Sequence, residues 1–161
     1  MIPPLNGKVQ GGKEAAKALT SLAEAIRTEL KTTVRDLGTA LKLSVQRKLS
    51  GPVLKAPTGN LKGSINVKEA ETPTGFTATV GTSLGMIPYA RIHEYGGVIL
   101  PVKAKMLSWI GPDGQRVFAH RVVMPERSYL RTSLAELEPT IEKQIRLSLK
   151  RAIKSAGFAP K

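Results

Sequence analysis

The sequence contains no cysteine among its 161 residues, and its aromatic residues are few: one tryptophan, three tyrosines and three phenylalanines. Without cysteine a chain has no disulfide, no thiolate metal ligand and no thiol nucleophile. With so few aromatic side chains it is poorly equipped to recognise unpaired bases by stacking. These two shortages exclude disulfide-stapled domains and thiol enzymes, and they disfavour a reader of single-stranded nucleic acid.

Long hydrophobic runs are also missing. No apolar run approaches the roughly 20 residues that a bilayer-spanning helix needs. The first eight residues lack the apolar centre of a signal peptide. We therefore expect a soluble intracellular product without a membrane partner, compatible with a reducing cytoplasm.

Acidic residues are scarce relative to basic ones: 12 Asp and Glu stand against 25 Lys and Arg, for a net charge of +13. The excess is spread over the chain, since each of the segments 1–50, 51–125 and 126–161 carries about twice as many basic as acidic residues. A hydrophobic content of 41% is enough for a packed interior. The length predicts one domain over residues 1–161, and the charge indicates a polyanion contacted through its backbone.

The N-terminal third predicts one long amphipathic helix. After a flexible lead over residues 1–12, apolar residues recur every three or four positions between Leu19 and Leu49, and no proline occurs from residue 13 until Pro52. We place this helix at 13–50, which at 1.5 Å per residue is about 55 Å long. A domain of 17.3 kDa does not comfortably cover such a helix, so part of it is expected to pack on a partner chain.

The middle of the chain changes to strand periodicity, and the C-terminal part returns to helix. Alternating residues at 64–68 and 76–80 predict an antiparallel pair, followed by a short helical turn at 89–95. Further short strands are predicted at 98–102, 106–110, 117–119 and 122–124, with a hairpin turn at 111–114. A second helix is predicted at 128–156, kinked near Leu137 by Pro139.

These elements define an α+β fold. We expect a long N-terminal helix and a C-terminal helix packed on a small, mainly antiparallel β-sheet formed within residues 58–125.

Sequence patterns of enzymes are weak in this chain. His93 and Glu94 invite a zinc-protease interpretation, but position 97 is Gly, and His120 is the only other histidine. No nucleotide-binding glycine loop is present. We predict that the protein is not an enzyme and has no catalytic residues, metal ligands or cofactor. A hydrolase built on His93 and Glu94 is kept as an alternative.

The C-terminal end carries a run of basic residues without an acid. After Glu142 the charged residues are Lys143, Arg146, Lys150, Arg151, Lys154 and Lys161. Cations in the last turns of a helix interact favourably with its dipole, by roughly 0.3–1 kcal/mol each. The alternative is that they face phosphates. The candidate DNA-channel residues are Lys143, Arg146, Lys150, Arg151 and Lys154.

Three segments, in order along the chain, share a pattern: 58–65, then 80–82 with 89–97, then 117–119 with 123–130. They resemble the neck or tail-completion proteins of tailed double-stranded-DNA bacteriophages, the virion-morphogenesis type of minor tail protein. Those proteins have Thr-Gly-x-Leu-x-x-Ser-Ile, Tyr-Ala-x-x-His-Glu-Tyr-Gly and Pro-x-Arg-Pro-Phe-Leu patterns. This chain departs at the third, where Ser128 and Tyr129 replace Pro and Phe. The residues that carry the resemblance are Thr58, Gly59, Leu61, Ser64, Ile65, Tyr89, His93, Glu94, Tyr95, Gly96, Pro125, Arg127, Tyr129 and Leu130.

The resemblance implies a structural virion protein at the head-tail junction, assembled in the host cytoplasm. It implies a ring, expected to hold six copies, between the head connector or stopper ring and the tail terminator or tail-tube proteins. Double-stranded DNA would cross the ring and be contacted non-specifically. Two alternatives stay open: a tail terminator protein, and a free basic nucleic-acid-binding protein.

The motif residues also suggest structural roles on physical grounds. Tyr89 and Tyr95 are expected to pin the short helical turn onto the sheet. Arg127 is expected to cap a helix or to pair across a subunit boundary. Tyr129 and Leu130 are expected to seat the last helix in the core.

Overall fold

A computed structural model of the protein describes residues 11–51, 59–83 and 88–158. It confirms the predicted α+β class, with a long N-terminal helix, a C-terminal helix and small antiparallel sheets. In chain order the elements are α1 (Gly12–Lys48), α2 (Asn60–Gly63), β1 (Ile65–Thr72), β2 (Gly75–Thr82), α3 (Pro88–Tyr95), β3 (Gly97–Ile99), β4 (Leu107–Ile110), β5 (Arg116–Ala119), β6 (Val122–Met124) and α4 (Tyr129–Ser155).

The two long helices lie close to their predicted positions. Helix α1 has 37 residues and α4 has 27, against predictions of 13–50 and 128–156. Pro139 lies inside α4, which continues to Ser155 without a break, and the kink near Leu137 stays a prediction. Residues 1–10, the greater part of the predicted flexible lead, lie outside the described residues.

The strands of the described residues form three two-stranded sheets, where we had expected one small sheet. Strands β1 and β2 pair across a two-residue turn at 73–74, so they form an antiparallel hairpin. The predicted strand at 98–102 ends at Ile99, two residues before Pro101. Proline has no N–H to give to a strand ladder, which is why pairing stops there.

The remaining two sheets follow one another along a single extended hairpin, which we call the β-arm (residues 97–124). At its base β3 pairs with β6, placing Val98 opposite Val123. Farther out β4 pairs with β5, placing Trp109 opposite Val117. Only two residues separate β5 from β6, whereas seven separate β3 from β4. The arm closes at Gly111, whose N–H donates to the carbonyl of Gln115 at 2.8 Å.

The chain divides into two compact units, each described by itself; the expectation of one domain stays a prediction. Unit 1 comprises the chain through Leu37, the hairpin tip Glu69–Ala78 and the segment from Pro139 onward. Unit 2 comprises Gly38–Lys68 and Thr79–Glu138.

Unit 2 contains the hydrophobic core. Each of its secondary-structure elements except the β-arm contributes at least one buried side chain, so helices and hairpin base close around a common interior. The buried residues of this cluster are Val45, Leu49, Leu61, Ile65, Val80, Ala90 and Tyr129.

Unit 1 is joined on its surface by ion pairs between α1 and the hairpin tip. Glu71 accepts hydrogen bonds from Arg27 and Lys31, which lower the pKa of its carboxyl below the ordinary 4.5. Both cations also lie over the ring of Phe76, at 5.2 and 5.9 Å from its centroid. Because these side chains are about half exposed, the pairs fix the hairpin against α1 with modest energy each.

Burial along the predicted apolar faces is uneven. On α1 it rises from Leu19, which is 60% exposed, to Val45, which is fully buried. On α4 the apolar residue Leu134 is half exposed. The fully buried α4 positions hold the small residues Ser133, Ser148 and Ala152.

Candidate assembly surfaces and the basic face of helix α4

The second and third motif segments meet where the C-terminal end of α3 contacts the N-terminal end of α4. We call this region the α3–α4 junction (residues 93–96 and 126–131). Glu94 is the buried carboxylate at its centre. Its two oxygens accept the backbone N–H groups of Leu130 at 2.8 Å and Arg131 at 2.9 Å. These are among the first N–H groups of α4, which have no partner within the helix. Glu94 therefore caps α4 from another helix.

The capping is reciprocal, because the segment leading into α4 satisfies the last carbonyls of α3. The N–H of Arg127 donates to the carbonyl of His93 at 3.0 Å, and the N–H of Ser128 donates to that of Glu94 at 3.2 Å. Ser128 adopts a φ of 41°, which is rare for a residue with a side chain. Each helix end thus supplies the hydrogen bonds that the other lacks.

Gly96 allows the two helix ends to come this close. Its φ is +68°, the left-handed conformation typical of the residue after a helix. A Cβ atom there would lie 2.8 Å from the backbone nitrogen of Glu126 and 3.0 Å from the carbonyl oxygen of Met124. Position 96 therefore requires glycine for two separate reasons.

Arg131 completes the polar network of the junction. Its Nε donates to Glu94 at 3.2 Å, its Nη2 donates to Glu126 at 2.5 Å, and its guanidinium lies 4.7 Å from the ring centroid of Tyr95. Hydrogen bonds from Ser128 and Arg131 lower the pKa of Glu126 below the ordinary 4.5. The first turn of α4 is thereby tied to α3 through side chains as well as backbone.

The first motif segment lies in the same core. Gly59 has a φ of +66° and precedes the single turn α2, from which Leu61 points into the core. Ser64 donates its hydroxyl to the carbonyl of Leu61 at 2.8 Å, and Ile65 is fully buried. The resembling segments, distant in sequence, therefore contribute to one hydrophobic cluster. Thr58 lies outside the described residues.

Tyr129 links this core to α3. It is buried, as predicted, and its hydroxyl donates to the carbonyl of Ala90 at 3.3 Å. Burial, reinforced by Glu94 and Tyr95, raises the pKa of Tyr129 to about 12. Leu130 packs against the same cluster. The prediction that Tyr129 and Leu130 seat the last helix is confirmed.

Tyr89 and Tyr95 do not pin α3 onto the sheet, so that prediction is wrong. They are 60% and 58% exposed, whereas Ala90 and Glu94 are buried. Positions 90 and 94 are four apart and share one helix face, so they turn inward together. Tyr95 instead carries the guanidinium of Arg131 on its ring.

The other motif residues of the junction have less contact. Pro125 is exposed and Arg127 is half-buried. His93 has a buried Nδ1 without a hydrogen-bond partner in the part of the chain that the structure describes. Burial, and secondly the charge of Arg127, lower the pKa of His93 below the ordinary 6.5. The neighbouring carboxylate of Glu94 points to α4.

Four of the five DNA-channel candidates lie on one side of α4, which we call the basic face (Lys143, Arg146, Lys150 and Lys154). All four are exposed. Lys143, Arg146 and Lys150 line a surface depression together with Pro139, Glu142 and Leu147. Over residues 11–51, 59–83 and 88–158 none of the four forms an ion pair. This helix face therefore presents positive charge that the described residues do not neutralise by ion pairing.

Arg151 was predicted to belong to a run of basic residues without acidic partners, and for this residue the prediction is wrong. Its Nε donates to Glu29 of α1 at 3.0 Å. Residue 151 follows Lys150 by about 100° around the helix, so it points toward α1 while the basic face points elsewhere. Arg151 therefore contributes to the packing of unit 1, with about half of its side chain still exposed.

Within the described ranges, no group of three or more His, Asp or Glu side chains is placed to hold a metal ion. In the same ranges no helix has the length and apolar character needed to cross a bilayer.

Sequence reasoning missed two features of this region. Glu94 was considered as half of a His-Glu pair, although its actual role is to cap a helix that begins 35 positions later. No local signal reveals a cap supplied from another helix. The exposed apolar side chains of the β-arm were counted as ordinary strand residues, although a run of apolar residues on both faces of a short hairpin is a recognisable warning.

Comparison of the chain with protein-family models, curated proteins and solved structures returns no match.

Proposed function

We propose that the protein is a structural component of a tailed bacteriophage virion, forming a ring at the head-tail junction through which DNA passes. The six-copy ring, the head connector or stopper ring and the tail terminator or tail-tube proteins as neighbours are parts of the same proposal. The observation that carries it is the convergence of the resembling segments: residues 59–65, 90–96 and 125–130 build one core and one reciprocally capped junction. This convergence gives the three sequence motifs a common structural role, because residues that are distant in the chain but pack in one junction constrain each other's identity.

The basic face of α4 supports the DNA part of the proposal. Cations held at successive turns of a rigid helix suit a phosphate backbone that moves past them, since they read no base sequence. Six copies of a chain with net charge +13 concentrate positive charge around a channel, and packaged DNA balances it.

Imaging of the purified full-length chain tests the ring. Negative-stain class averages should show closed rings, and native mass spectrometry should give one multiple of the chain mass, expected to be six. A preparation that stays monomeric both alone and with its phage's tailless heads contradicts the proposal.

Complementation separates the neck role from the tail-terminator alternative. In a phage carrying a nonsense mutation in this gene, the neck role predicts complete tails that fail to join heads. A terminator role predicts tails of uncontrolled length. Joined, infectious particles without the chain contradict both.

A second candidate function, a free nucleic-acid-binding protein, is favoured by the same exposed cations of the basic face. It predicts that the isolated monomer binds duplex DNA with an affinity that falls steeply with salt. Tight binding by a monomer, together with absence of the chain from purified virions, would favour this alternative.

A further inference from the structure

The β-arm exposes more apolar surface than a free hairpin of a monomer normally does. Its large apolar side chains are 36% to 95% exposed. They are Val98, Leu100, Val102, Met106, Trp109, Ile110, Val117, Phe118 and Val123. At about 150–250 Å² for a fully exposed large side chain, the total is on the order of 800 Å². Divided over the two faces of the arm, this is about as much on each face as the largest apolar patch of a typical monomer, roughly 300–600 Å², and patches of that size often mark interaction sites.

The exposed residues lie on both faces of the arm. In the β4–β5 ladder Trp109 and Val117 are directly opposite each other on one face. Ile110 and Phe118, at alternating positions of the two strands, lie on the other face. At the base Val98 and Val123 form another exposed pair. A partner that covers only one face would leave the other in water, which favours insertion of the arm between surfaces.

The area matches one side of a protein interface. A stable interface of standard size takes roughly 800 Å² from each partner, and its centre is typically aromatic and aliphatic. Trp109 and Phe118 supply large side chains of the kind that dominate binding energy. The arm is also anchored, because β3 starts beside Gly96 and β6 leads into the α3–α4 junction. An anchored arm loses little conformational freedom on binding.

Charge indicates what the arm contacts. Residues 97–124 contain Lys103, Lys105, Arg116 and Arg121 but only one acid, Asp113. The same unit of this chain carries an exposed acid on α4, Glu138, which stands one turn after the half-exposed Leu134. Within the described residues Glu138 forms no ion pair, so its charge is available to a basic partner.

We propose that the β-arm docks on a second copy of this chain, with Leu134 and Glu138 of α4 in its acceptor surface. The choice of a second copy rests on the proposed ring, in which each subunit gives one surface to a neighbour and receives the other. Such a head-to-tail contact uses two different patches of the same chain. Here the two patches are the β-arm and the α4 surface.

The first test measures self-association of the full-length chain by sedimentation velocity over a wide range of concentrations. Trp109→Glu and Phe118→Glu should each weaken association at least tenfold, because a charge is placed in the apolar contact. Gln115→Glu is the matched control: it adds the same charge at the exposed tip of the same arm, removes no apolar surface, and should leave association unchanged. Both target side chains are well exposed, so the variants are expected to fold, and circular dichroism checks this.

A charge exchange tests the acceptor. Glu138→Lys should weaken association, and adding Arg116→Glu in the same chain should restore it at least in part. Equal weakening by the single and double variants would overturn the acceptor assignment. Self-association of wild-type chain that is unaffected by both arm variants, or no self-association at all, would overturn the proposal.

Crosslinking identifies the occupant directly. Because the chain has no cysteine, Ser108→Cys creates a single labelling site. Ser108 is the cross-strand partner of Phe118 and lies on the same face of the arm. A photoreactive label there should crosslink to the α4 segment around Leu134 of another copy. Crosslinks only to a different protein, in assembled particles, would overturn the choice of a second copy.

These results are distinguishable from failure of the proposed function. Rings that persist in Phe118→Glu would remove the arm contact and leave the virion role standing. Arm-dependent association that never closes into a ring would keep the contact and contradict the ring.

Discussion

The carboxylate of Glu94 accepts the backbone N–H of Leu130 at 2.8 Å and so joins the end of α3 to the start of α4. Helix caps are usually supplied by the residue just before the helix. Here the residue in that position, Ser128, donates its hydroxyl to Glu126 instead. The capping group is therefore a buried charge from another helix, and the stability of the junction depends on it.

Replacing Glu94 should destabilise the protein by an amount that depends on how many acceptors remain. Glu94→Gln keeps one acceptor and loses the charge, for an expected cost of about 1–2 kcal/mol. Glu94→Ala leaves helix N–H groups and Arg131 without their partner, for roughly 2–4 kcal/mol. Thermal unfolding measures both, at about 2–4 °C per kcal/mol for a chain of this size. Glu126→Gln, at an exposed position of the same network, is the control and should shift the midpoint little; equal losses would contradict the capping role.

Two glycines with nearly the same φ should respond differently to alanine. At Gly96 the new Cβ meets backbone atoms at 2.8 and 3.0 Å, whereas at Gly59 nothing lies within 4 Å. Gly59→Ala should cost only the conformational strain, about 1–2 kcal/mol. Gly96→Ala adds a steric conflict with the segment leading into α4 and should cost at least about 1 kcal/mol more. Chemical denaturation of the two variants compares them, and equal losses would mean that the close approach at Gly96 is unimportant.

The small residues on the buried side of α4 should not tolerate enlargement. Ala152 is fully buried, so Ala152→Leu forces neighbours apart at an expected cost of about 1–3 kcal/mol. Ala135→Leu makes the same chemical change at an exposed position of the same helix and should be nearly neutral. Midpoints of urea unfolding give the difference, and a neutral Ala152→Leu would contradict close packing at this site.

Stability should fall as the pH is lowered through the ordinary pKa of histidine. Burial, and secondly Arg127, hold the pKa of His93 in the folded chain below 6.5, so below that pH the unfolded chain binds more protons than the folded one. The contribution is present above pH 6.5 and is lost as the pH falls toward the folded pKa. Unfolding midpoints measured from about pH 7.5 to pH 5 should show the decline. His93→Gln should reduce it, His120→Gln at an exposed position should not, and an unchanged pH profile in His93→Gln would contradict the assignment.

The basic face and Arg151 should contribute differently to the salt dependence of DNA binding. Replacing Lys143, Arg146 and Lys150 together by Gln should lower the slope of log affinity against log salt by up to about 2–3, since each phosphate contact contributes roughly 0.9. Arg151→Gln breaks the pair with Glu29 and should change the slope less than the average of those three. Replacing Lys150 and Lys154 by Gln should impair retention or passage of DNA while leaving assembly intact. Normal infectivity would contradict a channel role for this end of α4.

Much of the fold was predictable because it depends on local periodicity. Apolar residues at every third or fourth position gave both long helices within two residues of their ends, and glycine and proline marked the turns. Local sequence patterns did not reveal that the strands form three separate sheets. Pairing stops where Pro101 cannot donate a hydrogen bond, and it resumes several residues later. The buried side of α4 was not predicted, because small residues, serine and alanine, occupy its fully buried positions.

The sequence by itself determined the α+β class of this protein, its strongly basic charge, its lack of cysteine and its shortage of aromatic side chains. Those properties follow from residue identity and spacing, which do not depend on what folds against what. Only the tertiary structure decided that Glu94 caps α4, that Arg151 is paired while the neighbouring cations form no ion pair with the described residues, and that the β-arm stands exposed. Each of these is a contact, or the absence of one, between residues far apart in the chain, and such contacts are fixed by packing and not by local pattern.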